Sequence, residues 1–197
     1  MSLKKTSIAA FLAASGLVVS SAAMAQAKAA DQGFYAGVSI GQSSSSDACT
    51  GVSGPGVSCD DKDTAFKIFG GYQINRNFGV ELGYTDLGKV EAHGGGVTAS
   101  VESTAFELVG VGKFPINNQF SVYGKLGFYR ADSKGRSNVG VSADETNTDL
   151  TYGLGVQYNF TGNLGVRGEW QRYSSVGGGD IGDSDVDVLS VGVVYKF

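Results

Sequence analysis

Apolar and polar residues alternate along eight stretches of this chain, with the period of two that belongs to extended strands having two unlike faces. The stretches run from Gly33 to Gln42, Thr64 to Ile74, Phe78 to Leu87, Ser103 to Phe114, Phe120 to Ala131, Thr148 to Phe160, Leu164 to Tyr173 and Asp185 to Phe197. In the last, Leu189, Val191, Val193, Tyr195 and Phe197 share one face, opposite Ser190, Gly192, Val194 and Lys196. In the sixth, Leu150, Tyr152, Leu154, Val156, Tyr158 and Phe160 oppose Thr151, Gly153, Gly155, Gln157 and Asn159.

The connections alternate in length. Asn75 to Asn77, Pro115 to Gln119 and Thr161 to Asn163 are tight turns, rich in the residues that turns select. Ser43 to Asp63, Gly88 to Glu102, Asp132 to Asn147 and Ser174 to Ser184 are long and rich in Gly, Ser and Asp, and are expected to be loops. An up-and-down meander puts every tight turn at one end of the sheet, together with both termini, and every long loop at the other.

Two architectures satisfy this alternation. A soluble sandwich or barrel turns its apolar face inward; a membrane barrel turns it to lipid. The aromatics decide between them. Phe34, Tyr72, Phe78, Phe114, Phe120, Tyr158, Phe160, Tyr195 and Phe197 lie on the apolar face near the tight-turn end. That is a ring at one level, as an interfacial girdle requires and a soluble core does not. Strands of about ten residues also match a tilted crossing of a bilayer. The predicted fold is all-β: an eight-stranded antiparallel transmembrane barrel.

Composition agrees. There are 31 glycines and two prolines. The glycines sit inside the alternating segments, where a helix would lose about 1 kcal/mol at each relative to Ala. Lys4 and Lys5, an apolar run and the A-x-A site Ala23-Met24-Ala25 have the layout of a secretory signal peptide. Residues 1–25 are expected to be that signal, and 26–197 the barrel domain. Without Lys4 and Lys5, 13 basic and 19 acidic residues remain, and this acidic balance argues against nucleic acid. Cys49 and Cys59 are the only cysteines, and in an exported chain they are expected to form a disulfide.

The runs FKIFGGYQINRNFGVELGYTDLGKV (Phe66 to Val90) and VGKFPINNQFSVYGKLGFYRA (Val111 to Ala131) resemble strand-turn-strand cores of the OmpA-like transmembrane domain family. GFYAGVSIGQS and VGVVYKF resemble that family's first and last strands. The resemblance covers essentially the whole of 26–197. It implies a location in the Gram-negative outer membrane with periplasmic termini. It also implies that Tyr195 and Phe197 act as the signal read by the outer-membrane assembly machinery. Longer members carry a second domain that binds peptidoglycan; this chain is expected to be barrel only.

An eight-stranded barrel has an interior just wide enough for side chains. Alternation sends Lys67, Glu81, Glu107, Lys113, Lys125, Arg167 and Glu169 inward. Buried charges pair, because an unpaired one costs several kcal/mol. Glu81, Glu107, Lys125, Arg167 and Glu169, near mid-strand, are therefore expected to form a lumenal ion-pair network. In the family, similar networks plug the barrel, and their rearrangement is linked to a small conductance.

Enzyme chemistry finds little support. His93, the single histidine, sits in HGGG without the G-x-S-x-G partner of that motif and reads as a flexible-loop residue. The string Asp180 to Val188 lacks EF-hand spacing. No catalytic residue, cofactor site or metal site is assigned. Arg172, on the lipid face near the outer rim, is placed to meet lipopolysaccharide phosphates. The expected function is a non-enzymatic, monomeric outer-membrane protein that supports the envelope. It would meet a host or surface ligand through its loops. The alternative is a low-conductance, porin-like channel gated by the lumenal network.

Overall fold

The computed structural model describes residues 32–45, 58–60, 62–94, 97–137, 142–178 and 182–197. They form β1 (Gly33–Ser45), β2 (Ser58–Asp60), β3 (Lys62–Gln73), β4 (Phe78–Gly94), β5 (Val97–Pro115), β6 (Phe120–Ser137), β7 (Ser142–Asn159), β8 (Leu164–Gly178) and β9 (Gly182–Lys196). β1 and β3 to β9 each pair antiparallel with two neighbours, and β1 meets β9, so the eight close a barrel with no free edge. β2 is an addition: it pairs with β4 through Cys59 opposite Ala92. Cys49 and the segment 1–25 lie outside the described residues.

The two surfaces are the reverse of a soluble core. Val38, Ile40, Phe66, Leu82, Phe106, Leu126, Phe128, Leu154, Leu189 and Val191 point outward and are exposed. Glu81, Glu107, Lys125, Arg167 and Glu169 point inward and are buried. A contiguous apolar exterior around a charged interior has lipid as its matching solvent. The girdle is present at the turn end, where Phe34, Phe78, Phe114, Phe160, Tyr195 and Phe197 are exposed.

Three turns share one device. Asn75 Oδ1 accepts the N–H groups of Asn77 and Phe78, and Asn117 Oδ1 those of Gln119 and Phe120. Thr161 Oγ1 does the same for Asn163 and Leu164. These bonds replace the ladder where the chain reverses.

The far end departs from expectation. Among the described residues, three of the four segments read as long loops, 88–102, 132–147 and 174–184, are largely strand. β4 and β5 stay in register from Lys89 opposite Glu102 to Gly94 opposite Val97. β6 and β7 stay paired to Arg136 opposite Ser142. β8 and β9 stay paired to Gly178 opposite Gly182. The connections become ribbons that continue the wall. His93 lies in a strand, opposite Thr98 and Ser58, rather than in a flexible loop. Two register shifts, Asp86/Lys89 and Tyr173/Val176, mark where ribbons leave the barrel. Gly88 takes a positive φ of 80° at the first.

Candidate functional site

The inward parity of seven strands brings one cluster to the middle of the lumen. Lys67 comes from β3, Glu81 from β4, Glu107 from β5, Lys125 from β6, and Arg167, Glu169, Gln171 and Tyr173 from β8. Tyr35 on β1 and Gln157 on β7 complete it. Glu81 holds Lys125 in an ion pair and Arg167 at 2.8 Å. Lys125 also pairs with Glu169 at 2.6 Å. Lys67 pairs with Glu107, and with Glu169 at 3.4 Å. All five residues singled out by the alternation stand in this network, and Lys67 joins them. Its three cations and three carboxylates balance.

Each carboxylate also accepts from a tyrosine. Tyr35 donates to Glu81 at 3.1 Å, Tyr123 to Glu169 at 2.8 Å and Tyr173 to Glu107 at 2.6 Å. With the Tyr173 proton committed to Glu107, Thr85 donates to Tyr173 at 3.0 Å. Gln171 bridges the Lys67–Glu107 pair: it accepts from Lys67 at 2.7 Å and donates to Glu107 at 2.8 Å. Arg167 donates to Gln157 at 2.9 Å, and its guanidinium lies 4.9 to 5.1 Å from the ring centres of Phe69, Tyr35 and Tyr123. These rings face a cation with their electron-rich surfaces.

The tyrosines are absent from the sequence-level assignment, although Tyr35, Tyr123 and Tyr173 share the parity of the charged residues. Glycine makes their room. A Cβ on Gly83 would lie 2.9 Å from Glu107 Oε1, and one on Gly155 would clash with Cζ and the hydroxyl of Tyr123.

Above the ionic layer, toward the ribbons, Ala65, Leu87, Ala105, Tyr129, Ala131, Val176, Val186 and Val188 bury an apolar layer inside the lumen. The inward face is therefore not uniformly polar, as the alternation suggested. The void beside Lys67 measures about 10 Å³, room for about one water. Lys113 does not join the network; it lines the turn-end mouth.

Arg172 lies outward, as expected, but its guanidinium is already matched. It donates to both oxygens of Asp187, at 2.8 and 2.6 Å, and lies over the Trp170 ring at 5.8 Å. Asp185 stands 3.7 Å away, so part of the acidic string serves this ion pair.

Comparison with known proteins returns the same architecture. The profile of the outer membrane protein beta-barrel domain family matches residues 11–197. Outer membrane protein A of Salmonella typhi is 32% identical over 201 residues, covering 99% of this chain. The chain spans 56% of that relative's length. Among solved structures, Neisserial surface protein A superposes with a TM-score of 0.60 at 16% identity, over 83% of this chain and 97% of that one. Ail, the attachment invasion locus protein of Yersinia pestis, solved with the heparin analogue sucrose octasulfate, gives 0.52 at 21% identity. That match covers 84% of this chain and 99% of Ail. At these identities the two structures share the fold.

Proposed function

The chain belongs to the outer membrane protein beta-barrel domain family and resides in the bacterial outer membrane, and from that premise we propose that it is a non-enzymatic structural barrel of the envelope. Its turn end faces the periplasm, and its ribbons are offered outward for surface contact. One observation carries this reading: the lumen is filled twice, by a charge-balanced ionic layer and by an apolar layer above it. A filled barrel is a rigid lipid-facing wall, and its exposed ribbons are what remains for recognition.

Cells lacking the protein should lose resistance to detergent and bile salts. Cells carrying a barrel with residues 132–147 replaced by a short turn should keep that resistance and lose attachment. Unchanged detergent sensitivity on deletion would count against an envelope role.

A second reading, a low-conductance channel, draws on a different feature. Glu81 is shared between Lys125 and Arg167, and Glu169 between Lys67 and Lys125. Sharing lets the ionic layer re-pair without leaving a charge bare. Single-channel recording of the refolded protein beside Lys125→Met separates the readings. Discrete openings altered by the substitution make the layer a gate; a silent bilayer with a folded barrel makes it a plug.

A further inference from the structure

The lumen changes character along its axis. From the turn end, a cavity of about 520 Å³ reaches Gln157 and Arg167. The ionic layer follows, and then the apolar layer. Beyond it polar pairs return: Ser45 with Ser184 at 2.8 Å, and Ser103 with Ser133 at 2.9 Å. The apolar layer therefore lies between two polar ones.

Its hydroxyls are already spent. Tyr129 donates to the Ser174 carbonyl at 2.5 Å, and Tyr173 to Glu107 at 2.6 Å. The two rings meet edge-on at 5.2 Å, so what they offer the lumen is carbon. The void of about 10 Å³ beside Lys67 sits at the boundary. Glu169 and Gln171 line one side of it, and Ala65 and Val188 the other.

A bulge completes the layer. Between Tyr173 opposite Val186 and Val176 opposite Ser184, β8 carries one residue more than β9. Strict alternation from Tyr173 would send Ser175 inward; the extra residue turns Val176 inward instead, where it is buried. Ser175 has a φ of 56° and is the one non-glycine residue with positive φ among the described residues. Such a conformation persists only where its surroundings hold it. Tyr129 from β6 holds the Ser174 carbonyl, and Asn147 from β7 donates to the Ser175 carbonyl at 2.6 Å. Asp185 from β9 accepts the Ser175 N–H at 3.1 Å. Polar side chains of three strands thus fix a bulge whose product is an apolar side chain in the lumen.

We propose that the apolar layer, completed by Val176, is the barrier to ion passage, and that the ionic layer is not. The proposal rests on the channel reading and locates its closed point. An ion within the ionic layer meets groups that replace its water: carboxylates shared between cations, and the Gln171 amide. An ion at the apolar layer gives up its water and gains no partner, and that cost closes narrow apolar constrictions by dewetting.

The test is single-channel recording of the full folded barrel beside Val176→Thr, Val188→Thr, Val176→Ala and Lys125→Met. Heat-modifiable migration checks that each variant folds. Threonine keeps the shape of valine and adds a hydroxyl, whereas alanine makes room without polarity. Each threonine variant should raise ion flux about tenfold, as about 1.4 kcal/mol off the barrier would. Val176→Ala and Lys125→Met should conduct like the parent. In nanodiscs, NMR magnetisation transfer from water to the amides of residues 173–176 and 186–188 should be absent in the parent and appear in the threonine variants. A silent parent beside a conducting threonine variant removes the channel reading and leaves the barrier where it is proposed. The proposal is overturned if the folded threonine variants conduct like the parent, if alanine opens the lumen as well as threonine does, or if Lys125→Met alone opens it.

Discussion

The phenol ring of Tyr123 occupies the space that a side chain on Gly155 would need. Tyr123 comes from β6 and reaches over β7 to donate to Glu169 on β8 at 2.8 Å. Glycine at 155 is therefore a packing requirement of the network. Gly112, whose missing side chain would point to lipid, has nothing within 4 Å of that position. Gly155→Ala should destabilise the barrel by about 1–3 kcal/mol through overpacking. Gly112→Ala should be neutral, or stabilising by about 0.4–1 kcal/mol, because it restricts the unfolded chain. Urea unfolding in lipid vesicles measures both, and equal effects would show that the lumen has slack around Tyr123.

Much of this arrangement is legible from alternation alone. Parity placed Glu81, Glu107, Lys125, Arg167 and Glu169 in the lumen, and the narrowness of eight strands required them to pair. Parity also sends Tyr35, Tyr123 and Tyr173 inward, but their reach depends on barrel diameter and stagger, which no single strand encodes. Tyr173 and Glu107, for example, are 66 residues apart in sequence. The ribbons are hidden for another reason. Residues such as Ser133, Lys134, Thr146 and Asn147 lie in the ribbon between β6 and β7, where neither face needs an apolar row. Their strands rest on ladder bonds that are blind to sequence, while their Ser, Gly and Asp content reads as loop.

Glu81 holds two cations at once, so its removal tests the balance of the layer. Glu81→Gln leaves the network with one positive charge in excess and should cost about 3–5 kcal/mol. Adding Arg167→Met restores neutrality and should recover most of that loss. A double-mutant cycle read by urea unfolding gives the coupling directly. If the two losses simply add, Arg167 is held by the rings of Tyr35, Phe69 and Tyr123 rather than by Glu81.

Trp170 is the single tryptophan, outward-facing and flanked in register by Leu154 and Leu189. In vesicles its fluorescence should be quenched by lipids brominated along their acyl chains. A soluble quencher added to the same vesicles should have little effect. The Arg172–Asp187 pair beside it is part-exposed, so Asp187→Asn should cost no more than about 1 kcal/mol. Quenching by the soluble agent alone would place this face in water and contradict the orientation of the wall.

Phe197 joins the two ends of the barrel through its backbone: its N–H donates to the Phe34 carbonyl at 2.9 Å. Its ring takes no part in that seam. The ring points outward, 73% exposed, and packs edge-on against Tyr195 at 5.2 Å. Phe197→Ala therefore keeps the closing hydrogen bond, and the loss of an interfacial ring should lower stability by no more than about 1–2 kcal/mol. If Tyr195 and Phe197 are read by the assembly machinery, the same substitution should sharply reduce folded protein in the outer membrane of cells. Purified protein should still refold into detergent or vesicles. The two measurements are the heat-modifiable band from cell envelopes and the urea midpoint of refolded protein. A fall in both by the same proportion would make Phe197 a lipid anchor and remove the case for a signal; a fall confined to cells would locate its role in recognition during insertion.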